Sequence, residues 1–139
     1  MTQRTFSIIK PDAVAEGHAG DILALLEKAG FKILALRMTR LTLPQAESFY
    51  AVHRARPFFP SLVKFMTEGP IIVMALERED AIAKLRDVMG ATDPAKAAAG
   101  TIRKLFAKSI ERNCIHGSDA PETAEVELRY FFNTLDLQG

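Results

Sequence analysis

The stretch Asn113-Cys114-Ile115-His116-Gly117-Ser118-Asp119 sets one histidine beside a glycine, with hydrogen-bonding side chains on either side. Such a setting suits an imidazole nucleophile at His116. The ring must then be neutral, with one nitrogen held by an acceptor and the other free to attack. Ser118 and Glu127 are the candidates to orient it, and Gly117 removes bulk next to it. Read singly, each has a plainer role: a lone histidine as a surface or core hydrogen-bonding residue, Glu127 as a helix surface charge. Cys114 would face the same side as His116 on a regular strand. It has no basic neighbour in sequence, so it reads as a small buried apolar residue.

If this histidine handles phosphate, side chains must do the gripping. The chain has no G-x-x-x-x-G-K loop followed by Ser or Thr, no G-x-G-x-x-G, and no H-E-x-x-H or C-x-x-C metal pattern. The candidates are Lys10, His53, Arg86, Thr92 and Arg103. Arginine suits the task because its planar fork can hold two phosphate oxygens at once. Taken alone, each of these residues reads as a solvated surface group.

Positioning them requires a fold. Residues 5–9 read as a short strand stopped by Lys10-Pro11-Asp12, because proline cannot continue a ladder. Ile22, Leu23, Leu25, Leu26 and Ala29 follow helical spacing up to Gly30. Residues 31–41 suit a second strand with one wet face. Thr42 and Gln45 form a capping-box pattern with Pro44 in the first turn, starting a helix to about residue 52. A loop at 53–60 mixes bases, aromatics and prolines, a short helix follows at 61–66, and 71–76 is an uninterrupted apolar run that reads as a fully buried central strand. Ala81, Ile82, Leu85, Val88 and Met89 give another amphipathic helix ending at Gly90.

Residues 91–100 read as a long ordered loop, since Asp93 precedes a proline, and lead to a helical turn at 101–107. Residues 113–117 form a last short strand or extended segment. Asp119 and Glu122 then resemble a capping box for a closing helix with Ala124, Leu128 and Phe131 on one stripe and Glu127 partly buried at its edge. Setting aside the extra helices between the second and third strands, the order is βαββαβ. That is an α+β, ferredoxin-like sandwich, a four-stranded antiparallel sheet with helices on one face.

Composition bounds the possibilities. At 139 residues and 48% hydrophobic content the chain suits a single domain, residues 1–139, with a real core. Eighteen basic against seventeen acidic residues give a formal charge of +1, so there is no broad electrostatic footprint for nucleic acid or membrane. One cysteine forms no internal disulfide. With no signal-peptide pattern and no apolar run of about 18 residues, a soluble cytoplasmic protein is expected.

The chain resembles the nucleoside diphosphate kinase family. The likeness rests on Ile9-Lys10-Pro11-Asp12-Ala13-Val14, Arg56-Pro57-Phe58-Phe59, Gly90-Ala91-Thr92-Asp93-Pro94, Gly100-Thr101-Ile102-Arg103 and the Asn113 to Asp119 stretch, in the family's order over nearly the whole chain. The resemblance implies transfer of the γ-phosphoryl group of a nucleoside triphosphate, typically ATP, to a nucleoside diphosphate through a phosphohistidine at His116. It makes Glu127 and Ser118 the orienting partners. Lys10, Tyr50 and Asn113 would lie near the ribose hydroxyl and the transferring phosphoryl. Arg86, Thr92 and Arg103 would grip the phosphates with His53 at their rim, and Phe58 would stack on the base with Ile110 on its other side. Magnesium (Mg2+) would arrive on the nucleotide phosphates and not in a protein cage, in keeping with its retained waters. Stacking reads only an aromatic face, so base specificity should be broad.

The family's usual aspartate two residues after Arg103 is Leu105 here, preceded by Lys104, and Arg78 replaces a glycine common among relatives. The first departure puts local packing or ion pairing in question and leaves the transferring groups untouched. The resemblance also implies a homo-oligomer, tetramer or hexamer, built on apolar surface near the first helix and second strand. Two other classes compete: an RNA-binding module, and a catalytically silent nucleotide-binding regulator. The strands lack the aromatic pair the former needs, and the latter would be expected to have lost the histidine or its arginines.

Overall fold

In the computed structural model, which describes residues 2–138, eleven principal elements follow one another along the chain. They are β1 (Thr2–Ile9), α1 (Pro11–Ala15), α2 (Ala19–Lys28), β2 (Lys32–Thr39), α3 (Leu43–Phe49), α4 (Phe59–Met66), β3 (Ile71–Glu79), α5 (Ala81–Met89), α6 (Ile102–Phe106), β4 (Ile115–Gly117) and α7 (Pro121–Phe131). Single helical turns at Ala51–His53 and Pro94–Lys96 join them. The four strands form one antiparallel sheet in the order β2-β3-β1-β4, the expected βαββαβ arrangement.

Strand alternation sorts the core into two clusters. Phe6, Ile8, Val73 and Ala75 meet Val63, Met66 and Leu128 of α4 and α7. Ile9, Ile72, Met74 and Leu76 meet Ile22, Leu26, Leu85 and Met89 of α2 and α5. Helices therefore cover both faces of the sheet, not one as expected, because the inserted α3–α4 segment and α7 supply the second layer. β3 is buried from Ile71 through Leu76, on both sides, as a strand between two helical layers must be.

Element ends differ from expectation where one residue type fits two roles. β1 extends back to Thr2, with Arg4 opposite Glu77 and its Nε 3.1 Å from that carboxylate. Pro11 both stops β1 and opens α1, since its fixed φ and missing N–H suit a first helical turn. The capping box at Thr42 is present: its Oγ1 accepts the Gln45 N–H at 3.3 Å, and the Gln45 side chain accepts the Thr42 N–H at 2.9 Å. That helix stops at Phe49, and α4 begins at Phe59, two residues earlier than expected. α7 is not capped by Asp119 and Glu122. Ala120 precedes the helix, its N–H bonded to Thr123 Oγ1 at 3.0 Å.

Both sequence departures have an observed setting. Arg78 donates through Nη1 to the Ala29 carbonyl, satisfying a carbonyl at the end of α2, and lies 5.6 Å from the Phe31 ring. Leu105 is an exposed side chain on α6.

Candidate active site

His116 is the middle residue of β4, opposite Ile8, so its side chain leaves the sheet on the face shared by Phe6 and α7. There its Nε2 lies 2.7 Å from Glu127 Oε1. Ser118 Oγ donates to the same oxygen at 2.9 Å. An ionised carboxylate only accepts, so the proton of this pair sits on Nε2 and the lone pair of the neutral ring is left on Nδ1. Ser118 thus acts on Glu127, and Glu127 on the ring. Phe6, Phe49 and Tyr50 meet the imidazole edge-on, with centroids 6.1, 5.7 and 6.4 Å away. Gly117 points the other way. A Cβ there would come within 2.8 Å of Leu85 Cδ2 and 3.0 Å of Met89 Sδ, so the glycine makes room for α5 and not for the histidine.

His116 and Glu127 line a cleft of about 830 Å³, together with Lys10, Tyr50, His53, Phe58, Arg86, Thr92 and Arg103. Lys10 is buried, and its Nζ donates to Asn113 Oδ1 at 2.8 Å. Burial, with the nearby Arg103 charge, brings its pKa down to about 8. Arg103 is buried too, and burial lowers its pKa. It donates to the carbonyls of Gly90 at 3.1 Å, Asn113 at 3.4 Å and Ile115 at 2.7 Å. Three of the five N–H groups of a guanidinium are thereby engaged, and the remaining donors are available to a ligand. Gly90 lets Thr101, at the start of α6, close against it: its φ is +85°, and a Cβ there would lie 2.5 Å from Thr101 Oγ1.

Arg86, near the end of α5, pairs with Asp119 at 3.4 Å, and both side chains are exposed. A screened pair of this kind is readily exchanged for an incoming phosphate. Tyr50 is buried, its hydroxyl has no hydrogen-bond partner among the described residues, and burial with the Glu127 charge raises its pKa. The hydroxyl is held as a protonated donor. Phe58 is half exposed in the cleft wall, with the His53 ring 5.6 Å from it. His53 therefore shares the aromatic end, where the sequence reading set it at the rim of the phosphate group.

Three expected residues do not line the cleft. Ser118 and Asn113 act from behind it, through Glu127 and Lys10. Ile110 is an exposed side chain whose carbonyl accepts from Asn113 Nδ2 at 2.9 Å. Cys114 departs from a regular strand, with φ +74°, and is buried. Burial, with the Asp12 charge adding to it, pushes its thiol up to about 12, so it stays protonated. Sequence reasoning missed Phe49 and Asp119 as cleft residues; an aromatic next to Tyr50 and an acid three residues beyond His116 were the available signals. Among the described residues no group of three or more His, Cys, Asp or Glu side chains is placed to hold a metal ion. No helix among the described residues is long and apolar enough to cross a membrane.

A ferredoxin-like sheet carrying an oriented imidazole in a cation-lined cleft defines a class of protein equipped for phosphoryl chemistry. Comparison with known proteins narrows the class. The sequence profile described as Nucleoside diphosphate kinase matches residues 3–137, and the chain belongs to that family. A nucleoside diphosphate kinase of Bradyrhizobium diazoefficiens is 61% identical over 137 residues, covering 99% of this chain and 98% of its own. One from Nitratidesulfovibrio vulgaris is 57% identical over the full length of both chains. Among solved structures, the Aquifex aeolicus nucleoside diphosphate kinase matches with a TM-score of 0.96 at 44% identity over 99% of each chain. The Halobacterium salinarum enzyme in complex with CDP matches with a TM-score of 0.95 at 40% identity, over 100% of this chain and 93% of its own.

Proposed function

We propose that the protein is a nucleoside diphosphate kinase that works through a phosphohistidine at His116. The observation that carries this reading is the 2.7 Å contact of Nε2 with Glu127, which leaves Nδ1 as the nucleophile in a cleft lined by Lys10, Arg86 and Arg103. The Nδ1 lone pair attacks the γ-phosphorus of a nucleoside triphosphate such as ATP. The bond to the β–γ bridging oxygen breaks, and its electron pair leaves with the nucleoside diphosphate. A second nucleoside diphosphate then attacks that phosphorus through a terminal β-phosphate oxygen, and the P–N bond breaks with its electron pair returning to Nδ1, which restores the imidazole. One pocket serves donor and acceptor in turn, so the kinetics are ping-pong.

The residue roles proposed are those the family resemblance implies. Glu127, set by Ser118, fixes the tautomer and offsets positive charge on the ring as the P–N bond forms. Arg86, Arg103 and Thr92 hold the phosphates. Lys10, anchored by Asn113, and the Tyr50 hydroxyl stand near the ribose hydroxyl and the transferring group. Phe58 takes the base, with His53 beside it, and broad base specificity follows. Magnesium, when bound on the phosphates, offsets their charge. Of the cleft carboxylates, Glu127 is engaged with His116; Asp87, and Asp119 once phosphate takes its Arg86 partner, would be the ones to meet the ion's water shell.

The protein is read as a cytoplasmic homo-oligomer, tetramer or hexamer. β2 is an edge strand that exposes Leu36 and Met38, an apolar surface suited to a second copy, and a sedimentation mass of one chain would refute the assembly. The mechanism is tested by incubation with γ-labelled ATP. Acid-labile, base-stable label on the wild-type protein and none on His116→Ala is the expected result. Label that survives in His116→Ala contradicts it. A silent nucleotide-binding regulator is disfavoured by the intact His116–Glu127 pair.

A further inference from the structure

The turn leading into β4 is strained, and a carboxylate with no part in the chemistry above holds it. Cys114 has φ +74°, and across it the Ile115 N–H donates to the Asn113 carbonyl at 2.9 Å. That bond around a positive-φ centre makes a γ-turn of the rare kind, disfavoured because the Cβ of an L-residue crowds the backbone. The turn stands directly between Asn113, the partner of Lys10, and His116.

Its restraints come from Lys10-Pro11-Asp12 and from Arg103. The Lys10 N–H donates to the Cys114 carbonyl at 2.8 Å, and the Lys10 side chain holds Asn113. Arg103 donates to the carbonyls on either side, those of Asn113 and Ile115. Asp12 alone takes the N–H of the strained residue, through Oδ2 at 3.1 Å. It is 8% exposed, so this is a buried, charge-assisted bond between the start of the chain and the segment before the histidine. Proline between them gives Lys10 and Asp12 a fixed spacing, and the two grip consecutive peptide groups of one turn.

We propose that Asp12 is a positioning residue for phosphoryl transfer: by holding the Cys114 N–H it maintains the γ-turn that sets His116 and Asn113 relative to Lys10. The inference rests on the phosphohistidine reading. Phe58, Arg86 and Thr92, which would bind the nucleotide, lie on other segments, and Arg103, which touches the turn, is also held by the Gly90 carbonyl at 3.1 Å. Relaxing the turn therefore disturbs transfer more than binding.

The test is the rate of labelling by γ-labelled ATP with magnesium, alongside steady-state kinetics, for four forms of the full chain. Asp12→Ala lowers kcat about 100-fold while KM for the nucleotide changes little, the signature of a misaimed reactive group. Asp12→Asn, which keeps an acceptor oxygen, recovers most of that loss. So does Asp12→Ala combined with Cys114→Gly, because glycine adopts positive φ without a Cβ penalty. Thermal unfolding checks that each form is folded. If Asp12→Ala does not fold, the double variant carries the test: wild-type-like kcat supports the proposal and a full loss overturns it. Wild-type labelling in Asp12→Ala, a loss confined to KM, or a loss unrelieved by Cys114→Gly also overturns it. An unlabelled wild-type protein would instead overturn the phosphohistidine reading itself.

Discussion

His116 and Gly117 are neighbours in sequence and lie on opposite faces of the same strand. On one side of the sheet His116 meets Glu127 and, through it, Ser118, among the rings of Phe6, Phe49 and Tyr50. On the other side Gly117 lets Leu85 and Met89 of α5 close against the strand. The first face holds a polar network inside an aromatic wall. The second is apolar packing, in which the smallest residue is required for fit. The contrast teaches that a reactive side chain at a short strand's centre is aimed by both layers: one sets the ring's hydrogen bond, and the other fixes the strand that carries it.

The two faces can be separated by mutation. Glu127→Ala should lower kcat by about 10² to 10⁴, the range for losing a group that assists proton and charge placement, with little change in melting temperature. Leu85→Ala should do the reverse. A buried Leu to Ala change costs about 2–5 kcal/mol, read by chemical denaturation, while the folded protein still takes up label on His116. Loss of labelling in folded Leu85→Ala, or a large stability loss in Glu127→Ala, would break the division between the faces.

Lys10 gives an effect of intermediate size. Burial lowers its pKa from the ordinary 10.5 to about 8. Between these values the unfolded chain holds the proton and the folded protein has released it, so this group makes stability rise as pH climbs from about 8 to 10.5. Lys10→Met should remove that rise in a pH series of denaturation curves. In kcat/KM, which reports the groups of the free enzyme, activity moves the opposite way, with an alkaline decline near pH 8 as the charge beside the transferring phosphoryl is lost. A flat profile from pH 7 to about 9.5 would show that the Lys10 charge is not used. The smallest effect is at the rim. Asp119→Asn frees Arg86 from an exposed pair, and such pairs contribute about 0–1 kcal/mol, so stability should be unchanged within error.

Much of the fold was legible because periodicity and caps state it directly. The Thr42–Gln45 box stands where the sequence put it, and the apolar run at 71–76 is a central strand. That same run already implied cover on both faces, which the one-sided sandwich expectation overlooked. Pro11 was read only as a strand stop, because the signal that ends a ladder also opens a helix. Asp119 mimicked a cap, yet the turn before α7 directs it to Arg86.

In the site, the histidine and its carboxylate were visible as residue types, whereas the choice of ring nitrogen was not. Nor was the burial of Arg103 under three carbonyls visible, because only tertiary structure brings Gly90, Asn113 and Ile115 around one guanidinium. The γ-turn at Cys114 lay hidden for a related reason. Its residue has no intrinsic preference for positive φ and is held there by Asp12, 102 positions away.

The central claim is that Glu127 holds Nε2 and leaves Nδ1 to accept the phosphoryl group. Phosphorus–proton correlation spectra of the protein phosphorylated by ATP, with histidine labelled in nitrogen-15, would read this directly. The account predicts phosphorus bound to Nδ1 of His116, and a phosphorus resonance assigned to Nε2, or to any other residue, would contradict it.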